Sequence, residues 1–300
     1  MIKKLRAQLA ASLAFLFASS AGVVLANPIE VTDFLGRNLQ LQAPAERVIA
    51  LAPHIVENVY SAGAGDKLVG VVSYSNFPKE AQSIPIVGGY KSYSVETIIA
   101  LKPDLILMWA SGNGDKALQQ LSALGFTVYV DELSSLDDIA KFVQHIGQMT
   151  GTEDTANESV NEYVQELTSL RDEHSQSAAV SVFYQVWNEP LQTINGKHII
   201  NDVIGLCGGK NIFSDAAVLA PKISLESVIV ADPQVIVASG MDEARPEWLD
   251  DWRKWPQLQA VKREHVYFIP PDLLQRHTFR LLQGAQQLCS QLTEVREPLH

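Results

Sequence analysis

The segment SVETIIALKPDLIL at residues 94–107 decides the fold, because its pattern returns as SLESVIVADPQVIV at residues 224–237. In each copy a serine that can cap a helix precedes an amphipathic run, and a proline separates that run from an apolar strand. The offset is 130 throughout. A shorter echo, at an offset of 144, aligns HIVENV at residues 54–59 with HIINDV at residues 198–203. We interpret both as a duplicated α/β unit; the alternative is chance similarity between helix-to-strand segments, whose compositions always resemble each other.

Short apolar runs rich in β-branched residues alternate with amphipathic segments on both sides of residue 150. They lie at residues 48–51, 68–73, 105–109, 127–130, 180–187, 235–238 and 266–269. Continuous apolar strands separated by helices are typical of parallel sheets that are covered on both faces. The sequence therefore predicts an α/β protein with an N-terminal lobe at residues 27–150 and a C-terminal lobe at residues 177–300.

The connector between these lobes, residues 151–176, has the pattern of one long helix. Thr152 can cap it, acidic residues occupy its first turn, and apolar residues recur at helical spacing until near His174. These apolar residues are Val160, Tyr163, Val164, Leu167 and Leu170. A helix of about 22 residues is roughly 33 Å long, which is enough to run along the back of both lobes. A flexible hinge would instead be rich in Gly, Pro and Ser.

The first 26 residues have the layout of a cleavable secretory signal. Three basic residues, Lys3, Lys4 and Arg6, precede an apolar run from Leu9 to Leu25, and VLA at residues 24–26, before Asn27, has the pattern of a processing site. A membrane anchor is the alternative, which the small residues of the run disfavour. We expect residues 1–26 to be removed. Because no cysteine follows the run, we expect a free periplasmic protein and not a lipoprotein.

The composition of the remaining 274 residues limits the partners. Without the three basic residues of the signal, 20 Lys and Arg face 34 Asp and Glu, a formal charge of −14. Such an acidic chain disfavours nucleic acid and anionic lipid as partners. No further run reaches the ~20 apolar residues that a membrane span needs, so we expect a soluble protein.

The chain has only two cysteines, Cys207 and Cys289. Export to an oxidising compartment favours a disulfide between them, and two buried free thiols are the alternative. GLCGG at residues 205–209 imitates the nucleophile elbow of a hydrolase, but residues 199–204 have the pattern of a helix where that elbow needs a strand. We find no other catalytic motif and no short metal-ligand cluster among the histidines, and we therefore predict no catalytic or metal-binding residues.

Five motifs together resemble the periplasmic binding proteins of ABC importers for cobalamin, iron–siderophore complexes and haem. They are SYSNFP at residues 73–78, IALKPD at 99–104, Trp109 followed by GN at 112–113, CGGKNIF at 207–213 and AQQLC at 285–289. The resemblance covers essentially the whole exported chain and is strongest to the cobalamin-binding members. It implies two α/β lobes joined by one long helix, a disulfide between the two cysteines, cobalamin as the transported ligand and no resident cofactor.

The resemblance also implies a set of ligand-binding residues in a cleft between the lobes. They are Tyr74, Tyr90 and Trp109 in the first lobe and Trp187, Asp272 and Arg276 in the second. Flat aromatic side chains suit a large, rigid corrin ring, because they bury much area at a low entropic cost. For each ring a core or surface position is the alternative, and for Asp272 and Arg276 a surface ion pair. Tyr90 and Ala220 depart from the family pattern, where bulkier aromatic residues stand, as do Leu273-Leu274 and His277-Thr278.

Two acidic residues occupy the same place in both halves of the repeat, Glu96 and Glu226. The resemblance implies that they dock the protein, a monomer when free, onto the two subunits of an ABC permease. The alternative is that each merely complements its helix dipole.

Two other functions remain open at this point. A haem or ferric-siderophore protein of the same fold would use Tyr74, Tyr90 or His277 as an iron ligand, or clustered arginines for an anionic chelate. The sequence offers few cleft arginines beyond Arg276 and Arg280, which argues against the siderophore. A two-lobed periplasmic enzyme is the third hypothesis, although the sequence offers no recognisable set of acid, base and nucleophile.

Overall fold

The first lobe is an α/β unit with a six-stranded sheet. The computed structural model describes residues 28–240 and 244–297, so the predicted signal at residues 1–26 lies outside the described residues. The strands of this lobe are β1 (Ile29–Thr32), β2 (Asn38–Leu41), β3 (Val48–Ala50), β4 (Leu68–Val72), β5 (Ile86–Gly89), β6 (Ser92–Tyr93), β7 (Leu105–Trp109) and β8 (Val128–Asp131). Strands β1 and β2 form an antiparallel hairpin. The other six have the spatial order β6-β5-β4-β3-β7-β8 and are parallel except for the pair β5 and β6.

Helices cover both faces of this sheet, as the continuous apolar strands predict. They are α1 (Pro53–Ser61), α2 (Val95–Leu101), α3 (Ala110–Asn113), α4 (Asp115–Ala123) and α5 (Leu136–Thr150), with 3-10 turns at Gly65–Lys67 and Lys79–Ser83. The strands β3, β7 and β8 are buried along nearly their whole length.

The connector is a single helix, α6 (Glu153–His174), and this confirms the long helix predicted from the sequence. Its buried side chains follow the predicted stripe, except that Val164 is exposed. The predicted cap is wrong in its detail. Thr152 occupies the N-cap position, but its hydroxyl pairs with that of Thr150 at 2.9 Å and accepts no helix N–H.

Helix α6 contacts both lobes through one side chain, Tyr163. The Tyr163 hydroxyl donates to the carbonyl of Leu136 in α5 at 2.9 Å. Its ring stacks on Phe279 of the second lobe, with ring centroids 4.4 Å apart and planes inclined by 18°. The connector is therefore packed against both lobes, which a flexible linker is not.

The second lobe has a smaller, fully parallel sheet. Its strands are β9 (Val180–Gln185), β10 (Trp187–Asn188), β11 (Leu191–Gln192), β12 (Gly209–Asn211), β13 (Val235–Ala238) and β14 (Val266–Phe268), and its helices are α7 (Ile199–Leu206), α8 (Leu225–Ala231), α9 (Gln259–Lys262), α10 (Pro271–Leu274) and α11 (Leu281–Arg296). The sheet order is β12-β9-β13-β14, and β10 pairs with β11 in a hairpin. A 3-10 helix spans Glu247–Lys254.

The two copies of the repeat fold alike. The hydroxyl of Ser94 accepts from the N–H of Thr97 at 3.1 Å, and that of Ser224 accepts from Ser227 at 3.2 Å. Helices α2 and α8 then both end at a residue in the left-handed conformation, Lys102 and Asp232, whose φ angles are 48° and 42°. A proline and a buried parallel strand follow in both lobes, so the offset of 130 marks a structural repeat.

The disulfide between Cys207 and Cys289 is present and buried, which confirms the predicted pair. Cys207 is the C-cap residue of α7, and Cys289 lies within α11. The resemblance of residues 205–209 to a hydrolase elbow is therefore coincidental. A helix precedes Cys207, and its sulfur has no free thiolate to offer.

We predict that replacing both cysteines, Cys207→Ala with Cys289→Ala, lowers the free energy of unfolding by at most about 4 to 5 kcal/mol. The bond closes a sequence separation of 82 residues, and its loss restores chain entropy to the unfolded state. Urea unfolding measures the change. In the wild-type protein, a thiol reagent in urea should label neither cysteine before reduction and both after it; labelling before reduction contradicts the bond.

Candidate functional site

The carboxyl ends of both sheets face the junction of the lobes, where α/β proteins place their ligands. In the first lobe β7 ends at Trp109 and β8 at Asp131, which lie side by side in register. In the second lobe β14 leads into α10, and residues 275–280 then reach across to helix α1 of the first lobe. We call residues 275–280 the interlobe segment.

Tyr90 and Trp109, two of the predicted ligand-binding residues, lie together on the first lobe. Their ring centroids are 6.1 Å apart. The Asn113 side chain holds the backbone of both residues. Its Oδ1 accepts from the backbone N–H of Trp109 at 2.7 Å, and its Nδ2 donates to the backbone carbonyl of Tyr90 at 2.6 Å. A Cβ atom at Gly112 would overlap the Trp109 ring. The position of this aromatic pair therefore depends on one asparagine and one glycine, both within the GN motif.

Tyr74 follows β4 and presents its ring to solvent, with 82% of the residue exposed. Its backbone is in the left-handed region at a φ of 67°, a conformation that costs free energy in a residue other than glycine. Its carbonyl accepts a hydrogen bond from Arg276 Nη2 at 3.2 Å. Tyr74 is therefore joined to the polar residues of the second lobe through its backbone, while its ring remains free.

Trp187 lies apart from these residues, on the β10–β11 hairpin of the second lobe. Its indole N–H donates to the Glu189 carbonyl at 2.9 Å, and Gln192 of the same hairpin donates to the Ala220 carbonyl at 3.0 Å. Within the described part of the chain, no ring contact joins Trp187 to Tyr90 or Trp109. The structure thus brings Tyr90 and Trp109 together, leaves the Tyr74 ring exposed, and places Trp187 on the opposite lobe.

Asp272 and Arg276 form an ion pair in the partly buried interior of the junction, with Arg276 Nη2 at 2.9 Å from Asp272 Oδ1. Arg276 also pairs with Glu57 of helix α1, Nη1 to Oε1 at 2.8 Å. Sequence reasoning missed Glu57. Its signal was an acidic residue among Ile55, Val56 and Val59 on the apolar face of a helix, which indicates a buried partner.

The offset of 144 also has a structural meaning. Asn58 of α1 donates across the junction to the His277 carbonyl at 2.9 Å. Its counterpart in the echo, Asp202 of α7, accepts across the junction from the Leu136 N–H at the start of α5, at 2.8 Å. Equivalent positions on the two lobes thus each make a hydrogen bond to the opposite lobe.

Three histidines meet at the same junction. His54 in α1 and His198 at the N-cap of α7 both pack against the ring of His277, with centroid distances of 5.5 and 5.8 Å. The His54 ring is tilted by 42° to it, and the His198 ring meets it edge-on at 83°. His54 Nε2 contacts Asp131 Oδ1 at 3.2 Å, and His198 Nδ1 accepts from the Ile200 N–H at 3.2 Å. In residues 28–240 and 244–297, no group of three or more His, Cys, Asp or Glu side chains is arranged to hold a metal ion.

Burial controls the charge of this cluster. It lowers the pKa of His198 to about 4. It also lowers the pKa of His277 well below its ordinary value, and the neighbouring His54 and His198 add to that effect. Burial raises the pKa of Asp131, which His54 partly offsets. Both His198 and His277 are therefore neutral at pH 7.

Comparison with known proteins defines the class of this molecule. The family model described as periplasmic binding protein matches residues 48–273, and the chain belongs to that family. Vitamin B12-binding proteins are 37% identical in Vibrio cholerae, over 83% of this chain and 90% of the relative, and 38% identical in Yersinia pestis, over 85% and 89%. The crystal structure of the periplasmic vitamin B12-binding protein of Vibrio cholerae has a TM-score of 0.79 at 36% identity, covering 85% of this chain and 99% of that one.

These similarities confirm the predicted fold class, two α/β lobes with parallel sheets and one long connecting helix. Among the described residues, no helix combines the length and the apolar character needed to cross a membrane.

We predict that acid destabilises the protein through the histidine cluster. A histidine whose folded pKa is depressed contributes stability above its unfolded pKa of about 6.5 and loses it as the pH falls towards the folded value. For His198, with a folded pKa of about 4, the loss between pH 7 and pH 5 is about 2 kcal/mol. The variant His198→Asn keeps a side chain that can cap α7 and removes the titrating ring. Urea unfolding at both pH values should show a smaller acid loss in this variant; an equal loss in both proteins contradicts the assignment.

Proposed function

We propose that this protein is the periplasmic substrate-binding component of an ABC importer, and that it captures cobalamin in the cleft between its lobes. The observation that carries the proposal is the identity of 37–38% with vitamin B12-binding proteins over more than four fifths of the chain. The proposal includes removal of residues 1–26, a periplasmic location, a monomeric free state and no catalytic role for the cleft.

The chemistry of the cleft supports a corrin as the ligand. Tyr74, Tyr90 and Trp109 offer flat faces on the first lobe, and Trp187 offers a further one on the second. Each can cover part of a rigid macrocycle without losing much side-chain freedom.

Asp272 and Arg276 suit the amide groups at the rim of a corrin. Among the residues that the structure describes, neither Arg276 Nε nor Asp272 Oδ2 has a hydrogen-bond partner. A guanidinium donor and a carboxylate acceptor therefore lie side by side. A primary carboxamide matches this arrangement, because its carbonyl accepts from the arginine while its N–H donates to the aspartate.

The haem and siderophore alternatives receive less support from the same residues. His277 is only 7% exposed, and its ring lies against His54, His198 and Trp109. The arginines already have counter-ions, since Arg276 pairs with Asp272 and both Arg276 and Arg280 pair with Glu57. An anionic chelate would compete with these carboxylates for the same charges.

We predict that Trp109→Ala weakens cobalamin binding by about 1 to 3 kcal/mol, because it removes an aromatic anchor. Calorimetric titration with cyanocobalamin measures the change. Phe126→Ala is the matched control, since Phe126 is a partly buried aromatic residue that precedes β8 at the opposite end of the sheet. Equal affinity of Trp109→Ala and wild type would show that Trp109 does not contact the ligand.

A titration with haemin tests the identity of the ligand. Tight binding of haemin without binding of cobalamin would refute the proposed ligand.

Glu96 and Glu226 are proposed to dock the protein onto the permease. Both are exposed in the first turn of a helix, α2 in the first lobe and α8 in the second. Hydrogen bonds from its own backbone N–H and from the Ser224 side chain lower the pKa of Glu226, so they favour the ionised carboxylate. Each lobe thus presents one carboxylate at an equivalent place. Paired charges of this kind set the orientation and rate of association more than the affinity.

We predict that Glu96→Ala with Glu226→Ala keeps the affinity for cobalamin within twofold but strongly reduces transport and permease-stimulated ATP hydrolysis. Added salt should act on the wild type in the same direction, since it screens exposed charges. The matched control is Asp115→Ala with Glu153→Ala, which removes two exposed first-turn carboxylates from other helices. Normal transport by the Glu96 and Glu226 double variant would limit both glutamates to helix stabilisation.

A further inference from the structure

Glu57 is a buried carboxylate at the boundary between the lobes. It lies on α1, which begins with Pro53, and is only 3% exposed. Removing an ionised carboxylate from water is costly unless several donors replace the solvent. The partners of Glu57 therefore indicate what this part of the molecule is built to hold.

In the part of the chain that the structure describes, the side-chain donors to the Glu57 carboxylate all come from the interlobe segment of the other lobe. Oε1 pairs with Arg276 Nη1 at 2.8 Å and with Arg280 Nη1 at 3.4 Å. Oε2 accepts from the Thr278 hydroxyl at 3.1 Å. The next residue, Asn58, donates to the His277 carbonyl in the same segment. Two neighbouring residues of one helix thus hold a short stretch of the opposite lobe through both its side chains and its backbone.

The partner that matters for the ligand is Arg276. Its Nη1 is bound to Glu57, and its Nη2 to Asp272 and to the Tyr74 carbonyl. An unrestrained arginine samples many rotamers, and a planar guanidinium held at two nitrogen atoms samples few. Both Nη atoms are thus anchored to protein groups, and Nε, which has no hydrogen-bond partner among the described residues, is a donor that a ligand can use.

We propose that Glu57 is a positioning residue for ligand capture, which orients the Arg276 and Asp272 pair and fixes the interlobe segment against the first lobe before the ligand arrives. This inference rests on the proposed function for the identity of the ligand. It goes beyond it by assigning part of the affinity to a residue that the ligand does not touch. Groups that are already in place lose less entropy when the ligand binds.

The first experiment compares cyanocobalamin affinity by titration in wild type, Glu57→Gln and Asp33→Asn. Asp33 is a matched control, a carboxylate that is also 3% exposed and bound to an arginine, Arg37 Nε at 2.9 Å, but within the first lobe. We expect at least a tenfold loss of affinity for Glu57→Gln and a change within twofold for Asp33→Asn. If Glu57→Gln folds poorly, Thr278→Val removes one bond to Glu57 and should cost two- to fivefold.

A second measurement separates positioning from general stability. In a background that already carries Arg276→Gln, the substitution Glu57→Gln should reduce affinity by clearly less than the tenfold expected in wild type, because the guanidinium that it orients is gone and only its bonds to Thr278 and Arg280 remain. An equal loss in both backgrounds, or no loss in either, overturns the proposal.

Hydrogen–deuterium exchange on the ligand-free protein tests the same idea without cobalamin. The peptide that covers residues 275–280 should exchange faster in Glu57→Gln than in wild type or Asp33→Asn. Unchanged exchange overturns the proposal. If the wild type binds no cobalamin, the proposed function fails, and the exchange measurement alone then decides whether Glu57 holds the segment.

Discussion

The cleft depends on the burial of one helix face against two lobes at once. Side chains of α5, α6 and α11 share a single hydrophobic core with strands of both sheets. Tyr163 shows how this works, since one ring stacks on the second lobe while its hydroxyl bonds to the first. Opening the lobes along this helix would expose apolar area from a continuous core. The two walls of the cleft are therefore held at a defined spacing without any ligand.

Apolar packing alone does not fix how the lobes are oriented, because the hydrophobic effect has no preferred direction. Buried polar pairs can specify an arrangement, because a wrong register leaves a charge without its partner. Glu57 with the interlobe segment supplies one such pair, and the partly buried hydrogen bond from the Leu136 N–H to Asp202 adds a second polar contact between the lobes. Hydrophobic burial thus provides most of the stability of the junction, and a few hydrogen-bonded groups determine its geometry.

The sequence predicted the local structure and the Cys207–Cys289 bond, but it missed the polar contacts between the lobes. Repeated local signals, such as the Ser94 and Ser224 caps, predicted the starts of equivalent helices, and continuous apolar runs predicted the long strands. Strands of two or three residues, such as β6 and β12, carry too few side chains for a period to emerge. The partners of Glu57 lie 219 to 223 residues away. No periodicity joins such positions, so an acidic residue on an apolar helix face was the only available trace. The sequence repeat showed that His54 and His198 are equivalent positions, but only the three-dimensional structure shows that both contact the ring of His277.

In the proposed site, aromatic residues would provide most of the affinity and polar residues most of the specificity. Tyr74, Tyr90 and Trp109 offer aromatic faces, and stacking does not tell one flat macrocycle from another. Discrimination must then come from polar groups at the rim, where a mismatch leaves a buried donor or acceptor unpaired. A primary amide satisfies both Arg276 and Asp272, whereas a carboxylate such as a porphyrin propionate would pair with Arg276 only by facing Asp272, with like charges in contact. The proposed preference for an amide-rimmed corrin would thus depend on the exact placement of this pair, and so on the buried Glu57 carboxylate that contacts Arg276.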